Sequence, residues 1–446
     1  MKTININTSA LTVIIPVRFP EGLHPGGGKD FKNHLVIDRN GHGYPVLRGT
    51  SIIGVLRNAY FDLGYNPDKW FGSANTANDL QNESRIISDD CAFSFNNSSV
   101  SSESVHNIIS RHTHSSNEQG LFSIERILPN SETIINLFVR CPEDEKDDCF
   151  EFIALLLTIL KTDVCFGGSS SRGIGRVIIV DNDVKYQQYN LKDSSDAAKW
   201  IEDKLSIRLG KIPDNFSNLK ENTEIELNKL KIDLHFTIPQ GQDILISENL
   251  EMFPRNSSTA DGKEVWMLPG SSLRGVARSW IMRLASRDGY NVYDPPCESL
   301  SNSQMKPHEK ISDEVAVKNC PVANLFGSVS RKGRIHISDG LAIINKVRNQ
   351  TQKRMHVSID RFSGGANEGG LFENYVLIDP SIDFPVTIII EEPEDIEVKW
   401  IKKTLQAIDS GLVRIGSSKS SGRICLKSKP VATGPKSEIF NDYKRK

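Results

Sequence analysis

The sequence predicts an α+β protein made of two tandem copies of one ferredoxin-like domain, each carrying inserted hairpin elements. Three observations lead there. The stretch Tyr44-Pro-Val-Leu-Arg-Gly-Thr-Ser-Ile-Ile-Gly-Val-Leu-Arg57 returns past the midpoint as Trp266-Met-Leu-Pro-Gly-Ser-Ser-Leu-Arg-Gly-Val-Ala-Arg278. The same landmarks then follow each copy in the same order: an aromatic or leucine before Phe-Gly-Ser (70–73 and 325–328), Gly-Leu-Phe (120–122 and 370–372), and a Gly/Ser loop closed by Gly-x-Gly-Arg or Gly-Arg (167–176 and 416–423). Between the landmarks, strand, helix, further strands, helix and strand alternate as a ferredoxin-like domain requires. A duplicated order of this kind means that whatever one half does, the other is built to do beside it.

The opening strands are expected at residues 11–19 and 230–238, the second alternating cleanly between apolar and polar residues. Irregular segments follow, 20–43 with the run Gly26-Gly27-Gly28, and 239–262. Each repeat then starts a helix. In the second, Ser271 or Ser272 is the expected cap, and Leu273, Val276, Ala277, Trp280 and Ile281 form one apolar stripe. In the first, Thr50 or Ser51 is the expected cap, with Ile52, Val55, Leu56 and Tyr60 at nearly the same phases. Further strands are expected at 132–139, 176–181, 334–338, 375–378 and 386–390, and second helices at 148–162 and 399–411. The domains are then 1–183 and 229–430. Residues 184–228 read as a polar connector with a helix around 197–209, and the Lys-rich tail 431–446 is expected to fray.

Composition narrows the class without giving a function. A chain of 446 residues is long enough for two hydrophobic cores. Its 38% hydrophobic and 25% charged residues are those of a soluble globular protein. No run approaches the roughly 18 apolar residues of a membrane span, and residues 1–8 lack the progression of a secretory signal. Seven scattered cysteines without a Cys-x-x-Cys suit a reducing cytoplasm. A net charge of −2 means that any nucleic-acid role must rest on local clustering.

Two features have that local character. In the Gly/Ser loops, glycines let the backbone approach an anion and turn its amides toward it. Gly167, Gly168 and Ser169 with Arg172 and Arg176 form the first set; Gly416 and Ser417 with Lys419 and Arg423 form the second. Neither has Walker spacing, which disfavours nucleotide hydrolysis. The turn-helix repeats are the other feature. A helix N-terminus behind a glycine is a phosphate seat, so Ser51, Ser271 and Ser272 are candidates, with Arg57, Arg274 and Arg278 adding charge. Lys29, beside the glycine run, joins this set. The plainer alternatives are a flexible turn and a helix start that serves only the core.

Pro269-Gly-Ser-Ser-Leu-Arg-Gly275 with Leu-Phe-Gly-Ser, and His356-Val-Ser-Ile-Asp-Arg-Phe-Ser-Gly-Gly-Ala-Asn-Glu-Gly-Gly-Leu-Phe372, resemble the RAMP superfamily of CRISPR effector complexes. More narrowly, the chain resembles the backbone subunits of type III complexes, in a fused double-domain form similar to type III-D. The first half departs from the pattern: Arg48 stands for the proline, and Arg111-His-Thr-His-Ser-Ser-Asn-Glu-Gln-Gly-Leu-Phe122 for the Asp-Arg-x-x-Gly-Gly-Ala run. The resemblance implies RRM-like RAMP domains whose thumb-like hairpins, with Arg111 and Arg361, kink a guide–target duplex. It implies guide CRISPR RNA, target RNA, other RAMP subunits and a large signature subunit as partners, in a prokaryotic cytoplasm, with no membrane. It also implies target-RNA cleavage with a divalent metal, Mg or Mn, by an aspartate in the loop after the first strand. Asn33 or His34 falls at that place, so Asp30 is the first candidate and Asp38 the second; the second half offers Asp243, Glu248 and Asp261. Cys297, His308 and Cys320 mark where some relatives hold a structural zinc, but Ala323 occupies the position of a fourth ligand. Two alternatives remain open: a scaffold that binds guide RNA without chemistry, and a guide-processing ribonuclease using His106, His112 and His114.

Overall fold

A computed structural model describes the chain except residues 1–8, 31–33, 74–82, 94–99, 110–115, 181–182, 209–210, 220–227, 248–252, 293–319, 329–330, 417–421 and 446. Each half is built on an antiparallel sheet whose centre is its opening strand. In the first half Ser9–Phe19 lies between Ser131–Arg140 and Lys185–Asn190, with Ile86–Ser88 beyond the former and Ser217–Asn218 beyond the latter. In the second half Lys229–Thr237 pairs with Phe384–Glu391, which in turn pairs with Ile335–Ile337; Cys425–Leu426 and Val431–Thr433 share its other edge. Two helices cover one face of each sheet, Gly49–Asp62 and Lys146–Leu160 in the first half, Gly270–Arg287 and Asp395–Asp409 in the second. The duplication read from the sequence is thus an α+β architecture built twice, on a six-stranded sheet in the first half and a five-stranded one in the second. Among the described residues no helix is long and apolar enough to cross a membrane.

The two central strands differ in pattern for a physical reason. Lys229–Thr237 buries Leu230, Ile232, Leu234 and Phe236 on alternate positions, as a sheet with one covered face does. Ser9–Phe19 is buried almost throughout. Its second face is closed by the segment expected to be a connector, where Ile207 and Phe216 pack on Ile14. That segment is part of the first domain: Lys185–Asn190 pairs with Ser9–Phe19, and helix Ser194–Arg208 lies over the sheet. The tail is a second correction. Val431–Thr433 pairs with the central strand, and Phe440 and Tyr443 are in the core, so apolar side chains tie down what its lysines made look loose.

Each half also projects a long hairpin, Ser101–Ile109 with Ser116–Ile127 and Thr351–Ile359 with Ala366–Leu377. Their registers are the same, down to a matching shift near the tips: Ser101 faces Ile127 as Thr351 faces Leu377. The halves meet where the base of the first hairpin touches the start of helix Gly270–Arg287. Arg126 Nη1 donates to Asp339 Oδ2 at 2.6 Å, both side chains buried, and Arg126 Nη2 lies 3.1 Å from Met267 Sδ. Asp339 Oδ1 accepts the Gly270 N–H at 2.7 Å. The first Gly/Ser loop completes the joint: a Cβ on Gly173 would lie 2.0 Å from the Ile337 carbonyl oxygen, so only glycine lets it seat there. Removing one partner of a buried ion pair leaves an uncompensated charge. Arg126→Ala is therefore expected to destabilise the chain by about 3–5 kcal/mol, read as a lower urea midpoint; an unchanged midpoint would show that the joint does not need this pair.

Candidate nucleic-acid interface

The first Gly/Ser loop is pinned to the opening segment. Gly168 N–H donates to the His24 carbonyl at 2.8 Å, and Gly167, at φ +74°, approaches that oxygen too closely for any Cβ. Ser169 is itself left-handed and leads into the short turn Ser170–Arg172. In the second loop Gly416, at φ +120°, makes the same approach to Leu245; Ser417 and Lys419 lie outside the described residues. The closing arginines face inward. Arg176 is gripped by Glu21 at 2.6 Å and Asp163 at 3.1 Å in a mostly buried setting. Arg423 lies against Gly411 and donates to the Ser410 carbonyl, closing the end of helix Asp395–Asp409.

The helix starts are also arranged differently from the expectation. Both helices begin two or three residues earlier than the expected caps require, at Gly49 and Gly270, behind Arg48 and Pro269, and no side chain of the cap residue bonds to them. A distant carboxylate does that work: Asp90 Oδ1 accepts the Gly49 N–H at 2.8 Å as Asp339 accepts that of Gly270. Ser51, Ser271 and Ser272 are freed from capping and stand in the first turn. Arg274 bonds the Phe326 carbonyl and lies over its ring, Arg278 is buried, and Arg57 is 3.5 Å from Asp68.

What the fold brings together is a small cavity at the joint, about 20 Å³, room for a single water. Ser104, His106 and Arg126 from the first hairpin, Ser169 from the first Gly/Ser loop, and Arg255, Ser271 and Asp339 from the second half line one cavity. Ser169 and Ser271, which belong to different halves and different motifs, thus share a wall. Arg126 and Arg255 were not legible as site residues, because nothing in their local sequence marks them. Only the register of the two hairpins and the pairing of the two entry segments show their places. The hairpin tips carry further contact surface. Arg361 and Phe362 are exposed at the second tip, where Asp360 Oδ1 accepts the Phe362 and Ser363 N–H groups. His106 stacks on Phe122 at 5.5 Å and His356 on Phe372 at 5.1 Å, a repeated pair on equivalent rungs. Arg111, His112 and His114 lie outside the described residues, and Lys29 sits exposed on the short strand Gly26–Lys29.

The candidate acids do not converge. Asp30 is held by its own loop, its Oδ1 accepting the His34 N–H at 2.9 Å, with His34 Nδ1 3.3 Å from Glu103. Asp38 is clamped by Arg48 at 2.6 Å, whose hydrogen bonds hold its carboxyl below the ordinary range. Asp243 meets Arg354 at 2.8 Å. Asp261 pairs with Lys263 at 2.7 Å, and that bond, with one from Thr259, holds its carboxyl at about 2. Glu248 lies outside the described residues. Among the described residues no three His, Cys, Asp or Glu side chains are grouped to hold a metal. Cys320 serves a local purpose, its Sγ accepting the Ala323 N–H at the start of helix Pro321–Phe326; Cys297 and His308 lie outside the described residues.

A model of the RAMP superfamily matches residues 17–178 and 257–423, one region in each half. The chain belongs to the RAMP superfamily. No curated protein matches it. RAMP proteins in general work in type III CRISPR complexes and bind RNA, and here the matched regions hold both hairpins, both Gly/Ser loops and the joint between them. Because Arg176 is engaged by two carboxylates while Arg361 is exposed, their replacements should separate. Arg176→Ala should lower the stability by about 3–5 kcal/mol, read as a lower urea midpoint, whereas Arg361→Ala should leave the midpoint unchanged and weaken RNA binding measured by fluorescence anisotropy. A drop in stability from Arg361→Ala, or none from Arg176→Ala, would contradict the assignment.

Proposed function

We propose that this RAMP protein is a double-module backbone subunit of a type III effector, similar to the fused form of type III-D, that grips guide RNA and the guide–target duplex without reading sequence. The observation that carries the proposal is the hairpin that each module projects in the same register, with Arg361 and Phe362 exposed at the second tip. Contacts of that kind position a ribose-phosphate strand and carry no base information, which suits a subunit that must accept any guide. Exposed Met355, Val357, Phe362 and Leu371 on the second hairpin suit insertion between stacked bases rather than contact with phosphates alone. Other RAMP subunits and the large signature subunit are its neighbours in this reading.

For cleavage the favoured residue is Asp30. It stands in the loop after the first strand, where the resemblance places the cleaving acid, and its Oδ1 accepts the His34 N–H at 2.9 Å. One carboxylate with phosphate oxygens of the bound strand is a donor set that Mg or Mn accepts; such a metal, when bound, supplies Lewis acidity at the scissile phosphate. Asp30 would fix its position, and the hairpin would hold the strand distorted beside it. The scaffold reading draws on a specific observation too, the ion pairing of Asp38, Asp243 and Asp261. The assembled complex distinguishes them. Asp30→Asn should leave target binding intact and reduce cleavage in Mg²⁺ by about a hundredfold or more, the scale of losing one metal-linked or general-acid–base group. Cleavage at the wild-type rate would leave the scaffold. Affinity for RNA should fall steeply with salt in both.

A further inference from the structure

The two hairpins keep one register, and one of their rungs has changed its chemistry together with the segment that packs on it. In the first half that rung is Glu103 facing Glu125; in the second it is Lys353 facing Tyr375. Glu125 is a committed acceptor. Its Oε2 takes the Ile37 N–H at 3.1 Å, and its Oε1 takes the Ser101 hydroxyl at 2.7 Å and the Arg39 guanidinium. Backbone bonds set the matching positions in the entry segments. Asp38 is bonded to Pro25 and Val46 as Arg255 is to Ile246 and Met267, so Ile37 corresponds to Pro254 and Val36 to Phe253. Proline has no N–H to donate, and a carboxylate at position 375 would lack that partner. Tyr375 stands there instead. Phe253 lies flat on it, with ring centroids 4.5 Å apart and planes within 11°.

This stack is left open. One face of the Phe253 ring is on Tyr375, yet 55% of the residue is exposed, so its other face meets solvent. Residues two apart on a strand share a face, and exposed Met355, Val357 and Leu371 continue on this one toward the tip, beside the Lys353–Glu373 ion pair. On the first hairpin the rungs of Lys353, Tyr375 and Val357 hold Glu103, Glu125 and Asn107, and Glu103 lies 3.3 Å from His34, the neighbour of Asp30. An open ring face backed by a second parallel ring is complementary to a planar heteroaromatic ring. A nucleobase extends such a stack whatever its hydrogen-bonding edge.

We propose that Phe253 and Tyr375 form a stacking platform for one base turned out of the bound strand, so that the second module holds a base where the first module places its acids. The ligand is a nucleobase of any identity, as befits a subunit that reads no sequence. The proposal rests on the reading of the hairpins as strand-binding and assigns the second one a subsite of its own.

Photo-crosslinking of the full chain to single-stranded RNA carrying 5-iodouridine, which couples to aromatic rings stacked on it, tests the platform. Adducts are expected on Phe253 or Tyr375. The wild-type protein serves for this measurement, so loss of folding cannot imitate the result. Affinity measured by fluorescence anisotropy should fall about 5- to 150-fold in Phe253→Ala, the scale of one base–aromatic stack. Its slope against salt should not change, because no phosphate contact is lost. Phe253→Trp should keep both affinity and adducts, whereas Phe253→Leu, which still packs on Tyr375 but offers no ring, should bind as weakly as Phe253→Ala. A wild-type chain that binds RNA without an adduct at either ring, or a Phe253→Leu chain that binds as the wild type does, overturns the platform and leaves the strand-binding reading in place. A wild-type chain that does not bind RNA overturns both.

Discussion

A single ion pair between Arg126 and Asp339, closed off from solvent where the halves meet, organises this molecule. Two charges removed from water are worth their desolvation only when every remaining valence is met. Here the carboxylate also takes a helix N–H and the guanidinium leans on a methionine sulfur, and among the described residues only Arg126 Nε of the pair is left without a hydrogen-bond partner. The pair fixes the base of the first hairpin against the start of a helix in the other half. The first Gly/Ser loop can then seat against the strand Ile335–Ile337, and the cleft exists as a consequence. A chain that merely joined two domains by a linker would have the same motifs and no such cleft.

Most of the arginines that stand in the motifs hold the scaffold together. Arg176, Arg274 and Arg423 are turned into the protein, where they bind carboxylates, carbonyls or a ring, and Arg278 is buried. Their work is to present backbone amides and hydroxyls in fixed directions, and positioning of that sort needs rigidity more than charge. It also accounts for how a RAMP protein with slight net negative charge can offer a strand-binding surface. The faces of the two halves have diverged accordingly. The one inside the joint carries Arg255, and the outer one carries Asp38 in the same place.

The duplication, the fold class and the main helices were legible because they rest on periodicity and repeated order. The helix stripe at Leu273, Ala277 and Ile281 and the alternation of Lys229–Thr237 are local signals. The connector was not legible: helix Ser194–Arg208 is polar on most of its surface, and only Ile207 reaches the sheet at full burial among its apolar side chains. The near-continuous burial of Ser9–Phe19 was the available hint that something covers its second face. The helix caps were misplaced because the acceptors, Asp90 and Asp339, lie 41 and 69 residues away in sequence. The cleft was half legible. Ser169 and Ser271 carry motif signals, whereas Arg126 and Arg255 acquire meaning only when strands from separate parts of the chain are set side by side.

The account's central claim is that the strand runs along the hairpins and over the joint of both halves, and photo-crosslinking tests it most directly. RNA bearing 4-thiouridine would be irradiated with the full chain and the adducts mapped by mass spectrometry. The account predicts adducts on joint peptides from both halves, around Ser104 to His106, Ser169 and Ser271. Adducts confined to one half and remote from the joint would contradict it.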